Sequence, residues 1–119
     1  MDIEALRQYS LTKRGPVREE TPFGENVLVY KVRGKIFLLL NLADHPLAIN
    51  LKCDPTHAIE LRERYPAVQA GYHMNKKHWN TVTLDGSIPI DEVRRIIDES
   101  YAEVVKGLSK RDRARLSSS

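Results

Sequence analysis

The chain has 119 residues, 41% of them hydrophobic and 29% charged, a balance that supports one folded domain and excludes a wholly disordered chain. No run of about 18 apolar residues occurs, so no transmembrane helix and no membrane partner are expected. The lone Cys53 excludes an internal disulfide and a cysteine-based zinc finger. The net charge of +3 comes from the C-terminal stretch: Lys106, Lys110, Arg111, Arg113 and Arg115 against Asp112 amount to +4, which leaves residues 1–105 at −1. Any polyanion-binding face must therefore arise from local clustering of cations. The opening MDIEALRQYS is polar and acidic and lacks the basic and apolar regions of a secretory signal. The expectation is a cytoplasmic protein, with a monomer favoured.

In chain order, Ile3 to Lys13 is predicted as a helix. Asp2 caps it, because a short carboxylate accepts from the free N–H groups of the first turn, and Gly15-Pro16 stops it. Pro22-Phe23-Gly24 is a turn or an irregular lead-in. Asn26 to Val32, rich in Val and Tyr, is predicted as a strand. Arg33-Gly34 is a tight hairpin turn in which glycine supplies a positive φ. In the next strand, Lys35 to Leu42, Ile36-Phe37-Leu38-Leu39-Leu40 is continuously apolar, the mark of a central strand covered on part of both faces. Asp44-His45-Pro46 turns the chain. Leu47, Ile49 and Leu51 then alternate with Ala48, Asn50 and Lys52, as in a half-buried strand.

Asp54-Pro55 opens a helix, with Asp as cap and Pro at the first helical position, and Pro66 ends it. Residues 67–78 carry no clear period. Trp79 to Leu84 is predicted as a strand with Asn80, Val82 and Leu84 on one side and Trp79, Thr81 and Thr83 on the other. Asp85-Gly86 is a turn. Val93, Ile96, Ile97, Tyr101, Val104, Val105 and Leu108 fall on one face of a long last helix. Residues 109–119 read as a flexible basic tail. The whole is an α+β domain over residues 1–108: an antiparallel sheet packed by helices on one face, with the other face free for a partner.

The segment Asn75-Lys76-Lys77-His78-Trp79 gathers cations, an amide and an aromatic. Lys neutralises phosphates, Asn hydrogen-bonds phosphates or base edges, and Trp stacks on a base. The competing reading makes Trp79 a core residue and the lysines a solvated turn. Lys31, Arg33 and Lys35 form a second cationic spot at the hairpin tip, where charge also keeps an edge soluble. Metal and catalytic signals are weak. There is no HExxH motif, and His73 and His78 lie five apart in the segment without a clear period. Cys53 lies just before a helix cap, where the helix dipole can lower a thiol pKa, but no thiolate partner can be named, and a buried structural role is favoured. No GxSxG, P-loop or GxGxxG occurs, and the neighbours Glu19-Glu20 and Asp98-Glu99 point different ways along their elements. No enzyme activity, cofactor, metal or catalytic residue is expected.

The stretches LKCDP, RYP and HMNKKHWNTVTLDGSIP, followed by a final amphipathic helix, resemble the MmcQ/YjbR family of small bacterial proteins. The resemblance runs from the first helix to about Leu108, and its strongest part is Tyr72 to Pro89. It implies a CyaY-like fold with double-wing β-hairpins and a DNA-binding function. The matching positions are Lys52 and Pro55, then His73, Asn75, Lys76, His78 and Trp79. The analogy with frataxin-type iron carriers fails on the first helix, where Asp2 and Glu4 are followed by Arg7, Lys13 and Arg14 instead of an acidic ridge.

The expected function is DNA binding through the phosphate backbone, carried by Asn75, Lys76, Lys77, His78, Trp79, Lys31, Arg33 and Lys35. The alternative is a non-enzymatic protein-interaction module using the open sheet face. A third and weaker reading is a pocket formed by His73, His78 and Cys53.

Overall fold

Six strands form one antiparallel sheet: β1 (Val17–Glu20), β2 (Val27–Val32), β3 (Lys35–Asn41), β4 (Ala48–Lys52), β5 (Val68–Ala70) and β6 (Trp79–Thr83), in the spatial order β1-β2-β3-β4-β6-β5. Four helices accompany them: α1 (Ile3–Leu11), α2 (Pro55–Arg64), α3 (Ile90–Lys106) and α4 (Lys110–Ser117). These features belong to a computed structural model that describes residues 1–71 and 74–117.

The helix starts follow the predicted chemistry. Asp2 accepts from the Ala5 N–H at 2.8 Å, and Asp54 accepts from the N–H groups of Thr56 and His57. At the β2–β3 turn Arg33 and Gly34 take φ of 49° and 82°. This left-handed pair matches the twist of the strands it joins.

The side of the sheet under α1, α2 and α3 holds the core: Leu28, Tyr30, Val32, Phe37, Leu38, Leu40, Ile49, Leu51 and Val82 are all buried there with Leu6, Leu61, Ile96 and Ile97. Each fully buried aliphatic side chain of this kind contributes roughly 1.5–3 kcal/mol. The opposite side carries Ile36, Leu39, Asn50, Thr81 and Trp79, and among the described residues no helix residue lines the trough on it.

The unbroken apolar run of β3 has a specific cause. Tyr30 pairs with Leu38 but Lys31 with Ile36, so Phe37 is an extra residue in the strand. The bulge lets Phe37 and Leu38 both turn toward the helices, and both are fully buried. Phe37 meets Tyr101 of α3 edge-on, with centroids 5.5 Å apart. The Ser100 hydroxyl of α3 donates to the Phe37 carbonyl at 2.5 Å and accepts the Lys52 N–H at 2.8 Å. It joins β3 to β4 just beyond Leu38–Leu51, the last pair of their ladder on that side.

Three elements depart from the sequence reading. β1 escapes pattern recognition because Val-Arg-Glu-Glu has no apolar alternation. Its acids are held by partners instead: Glu19 by Arg7 and Tyr30, Glu20 by Lys31. β5 is only three residues long. The expected basic tail is a helix in the structure. Ser109 Oγ accepts the Asp112 N–H, Leu116 is buried in the core, and Asp112 pairs with Arg33 at 3.1 Å. Among the described residues no helix is long and apolar enough to cross a membrane.

Candidate nucleic-acid interface

Strand direction decides which ends meet. β3 begins where β4 ends, and β4 ends where β6 begins, so Lys35, Lys52 and Trp79 come to the same end of the sheet. Together with Gly34, Ile36, Met74, Val104 and Gly107 they line one groove of about 440 Å³. Lys52 faces Trp79 directly in the β4–β6 ladder. Trp79 is half-buried: its backbone is locked into β6 while its indole borders the groove.

The loop preceding β6 is built by Asn75. Its carbonyl accepts the N–H groups of His78 and Trp79, and its side-chain oxygen accepts the Lys77 N–H at 2.9 Å. Asn75 is thus the residue that shapes this turn. Lys76 and Lys77 are exposed. Arg62 of α2 holds the loop from behind, donating to the Lys76 carbonyl at 3.2 Å and to Asn80 Oδ1 at 3.1 Å. Asn80 is buried and donates to the Ala58 carbonyl. His78 is half-buried, and its carbonyl accepts the Cys53 N–H at 2.8 Å.

The hairpin-tip cations divide. Lys31 pairs with Glu20 at 3.0 Å and Arg33 with Asp112 at 3.1 Å, and both line a different cavity beside β1. Lys35 alone of the three borders the groove. Among the described residues, Lys35, Lys52, Lys76 and Lys77 have no ion-pair partner, so their charges are uncompensated at short range. Composition alone does not single out Lys52. Its place opposite Trp79 depends on the β4–β6 register, which no sequence pattern contains. His73 lies outside the described residues.

The pocket expected from His73, His78 and Cys53 includes His73 and so falls partly outside the described residues. The Cys53 side chain borders a cavity with His57 and Glu99, reached from α2 and α3. Burial, with Glu99 and Asp54 adding to it, pushes the thiol up to about 12. The helix dipole therefore does not activate it. Partial burial works against a charged His57, but Glu60 and Glu99 outweigh it and raise the imidazole pKa.

A trough of about 550 Å³ occupies the sheet face opposite the core, lined by Phe23, Val27, Ile36, Leu39 and Met74 with the polar Asn50, Gln69 and Thr81 among them. It shares Ile36 and Met74 with the groove, so the two are continuous.

The class that emerges is a small α+β protein whose sheet ends in a groove of aromatic and cationic side chains, the cations without ion-pair partners among the described residues. The chain belongs to the YjbR family, whose model matches residues 11–103. It is 42% identical over 95 residues to the uncharacterized protein YbdF of Escherichia coli O157:H7, covering 80% of this chain and 78% of that one. It is 32% identical over 114 residues to the uncharacterized protein YjbR of Escherichia coli strain K12, covering 95% of each. The crystal structure of Deinococcus radiodurans protein DR2400, described by the domain DUF419, superposes with a TM-score of 0.90 at 36% identity over 97% of this chain and 87% of that one. A Pseudomonas syringae protein superposes with a TM-score of 0.72 at 27% identity, covering 84% of this chain and 96% of that one.

Proposed function

We propose that this chain is a DNA-binding protein that contacts the phosphate backbone through Lys35, Lys52, Lys76 and Lys77 and stacks Trp79 against a base. One observation carries the reading: these four lysines lack ion-pair partners among the described residues, and two of them share a groove with the indole. Unpaired lysines on a groove neutralise phosphates, and an indole beside them adds a stacking surface that any base satisfies. Lys31 and Arg33, already paired, are peripheral to this reading.

The test is fluorescence anisotropy with labelled duplex and single-stranded DNA at rising salt. Binding should weaken with a slope of about −0.9 in log K against log salt for each phosphate neutralised on duplex DNA. Replacing Lys76 and Lys77 by Ala should make that slope shallower by about two. Absence of binding at low salt, or a double variant with the wild-type slope, overturns the proposal.

A second reading is a protein-interaction module, favoured by the apolar trough on the sheet face opposite the core and by Phe23, 65% exposed at its rim. A partner recovered from lysate after nuclease treatment and lost in Phe23→Ala supports it. Recovery that disappears with nuclease counts against it.

A further inference from the structure

Cys53, His57 and Glu99 meet at a cavity of about 330 Å³ that the DNA-binding reading does not use. Cys53 stands just before the α2 cap, His57 follows in the first turn of α2, and Glu99 reaches across from α3. The Cys53 Sγ, a His57 ring nitrogen and a Glu99 carboxylate oxygen all lie within 4.8 Å of one another. We propose that these three side chains bind one divalent transition-metal ion of the zinc or cobalt type.

The donor set is the first argument. Thiolate, imidazole and carboxylate together suit borderline ions, whereas magnesium and calcium call for oxygen alone. The second is spacing. In a tetrahedral zinc site neighbouring donor atoms stand about 3.3–3.6 Å apart. His57 Nε2 and Glu99 Oε2 are 2.9 Å apart, and no two donors of the trio are further than 4.8 Å. Side-chain rotation spans the difference.

The third argument is the surroundings of the imidazole. His57 Nδ1 faces Glu60 Oε2 at 3.3 Å. A carboxylate behind a histidine fixes its tautomer and leaves the other nitrogen to coordinate, the usual outer arrangement of a metal-bound histidine. The fourth is seclusion. Glu99 Oε2 is shut off from solvent and meets His57 Nε2 at 2.9 Å. A metal ion between the two would take the place of that contact.

Cys53 is 4% exposed, and its N–H is fixed to the His78 carbonyl, so its thiol is held in place. Asp54 is committed to capping α2. Glu103 also borders the cavity, with Lys106 Nζ 3.8 Å away, and it or water fills the fourth position. On binding, the thiol proton passes to the buffer as the sulfur–metal bond forms, and a protonated His57 gives up its Nε2 proton to the buffer in the same way as the nitrogen–metal bond forms.

Cobalt(II) titration of the reduced full chain tests this. Because the chain holds a single cysteine, a near-ultraviolet thiolate-to-cobalt absorption band can come only from Cys53. The expected result is such a band saturating at one equivalent and displaced by zinc. Cys53→Ser should abolish it, and His57→Ala and Glu99→Gln should each weaken binding at least tenfold while circular dichroism stays that of the wild type. Should Cys53→Ser not fold, the other two variants decide. Absence of the band at excess cobalt, or unchanged affinity in both His57→Ala and Glu99→Gln, overturns the assignment. Neither result depends on whether the chain binds DNA.

Discussion

Lys52 and Trp79 are direct partners in the antiparallel ladder between β4 and β6. Their side chains therefore leave the sheet on the same face, with Cβ atoms about 4.5–5.5 Å apart. An ammonium and an indole are thereby held side by side at the open end of the sheet, on backbone that cannot shift without breaking the ladder. The Lys52 N–H is fixed in turn by Ser100.

Ser100→Ala tests that support. It leaves the Phe37 carbonyl and the Lys52 N–H without their partner in a buried setting. The expected cost is about 1–3 kcal/mol, read as a lower urea midpoint with an unchanged m-value. Stability equal to the wild type would mean that the bulge of β3 is satisfied another way.

Gly71 is the second support. Its N–H donates to the Trp79 carbonyl at 2.7 Å, and an added Cβ would lie 2.9 Å from Trp79 Cβ and 3.0 Å from the Trp79 oxygen. Gly71→Ala should cost about 1–3 kcal/mol as the chain is pushed off β6. Trp79 emission should shift to the red as the indole loses packing. An unchanged spectrum and unchanged stability would contradict the close approach.

Acid should loosen the β1 edge. Glu19 accepts two hydrogen bonds from Arg7, at 2.8 and 3.0 Å, and one from Tyr30 at 2.5 Å. The Arg7 hydrogen bond is the main cause that holds the Glu19 carboxyl below the usual range, with Tyr30 adding to it. A lowered folded-state pKa means that the stabilisation is fully present above the unfolded value of about 4.3 and is lost as pH falls through the folded value. Thermal unfolding between about pH 3 and 6 should show a steeper acid-side loss in the wild type than in Glu19→Gln. Parallel profiles would show that Glu19 carries no linked proton.

Much of the fold was legible because local chemistry and core pattern agreed. Asp2 and Asp54 cap their helices, Arg33-Gly34 makes the hairpin turn, and the side-alternation of β6 puts Asn80 and Val82 inside and Trp79 outside. β1 and α4 were not legible, because both are held by charge pairing with distant residues: Glu19 with Arg7, Asp112 with Arg33. The site was half legible. Composition pointed to Trp79, Lys76, Lys77 and Lys35, but the division of Lys31 and Arg33 from Lys35 depends on Glu20 and Asp112, which only the folded chain brings near. The approach of His57 and Glu99 to Cys53 was not legible, because Glu99 arrives from another helix.

The account turns on Lys35 and Lys52 at the groove, and the most direct measurement is the salt dependence of DNA affinity for the Lys35→Glu, Lys52→Glu double variant. The account predicts a loss of at least tenfold at low salt and a slope shallower by about two, with thermal stability unchanged. A double variant that binds DNA as tightly as the wild type, with the same slope, would contradict it.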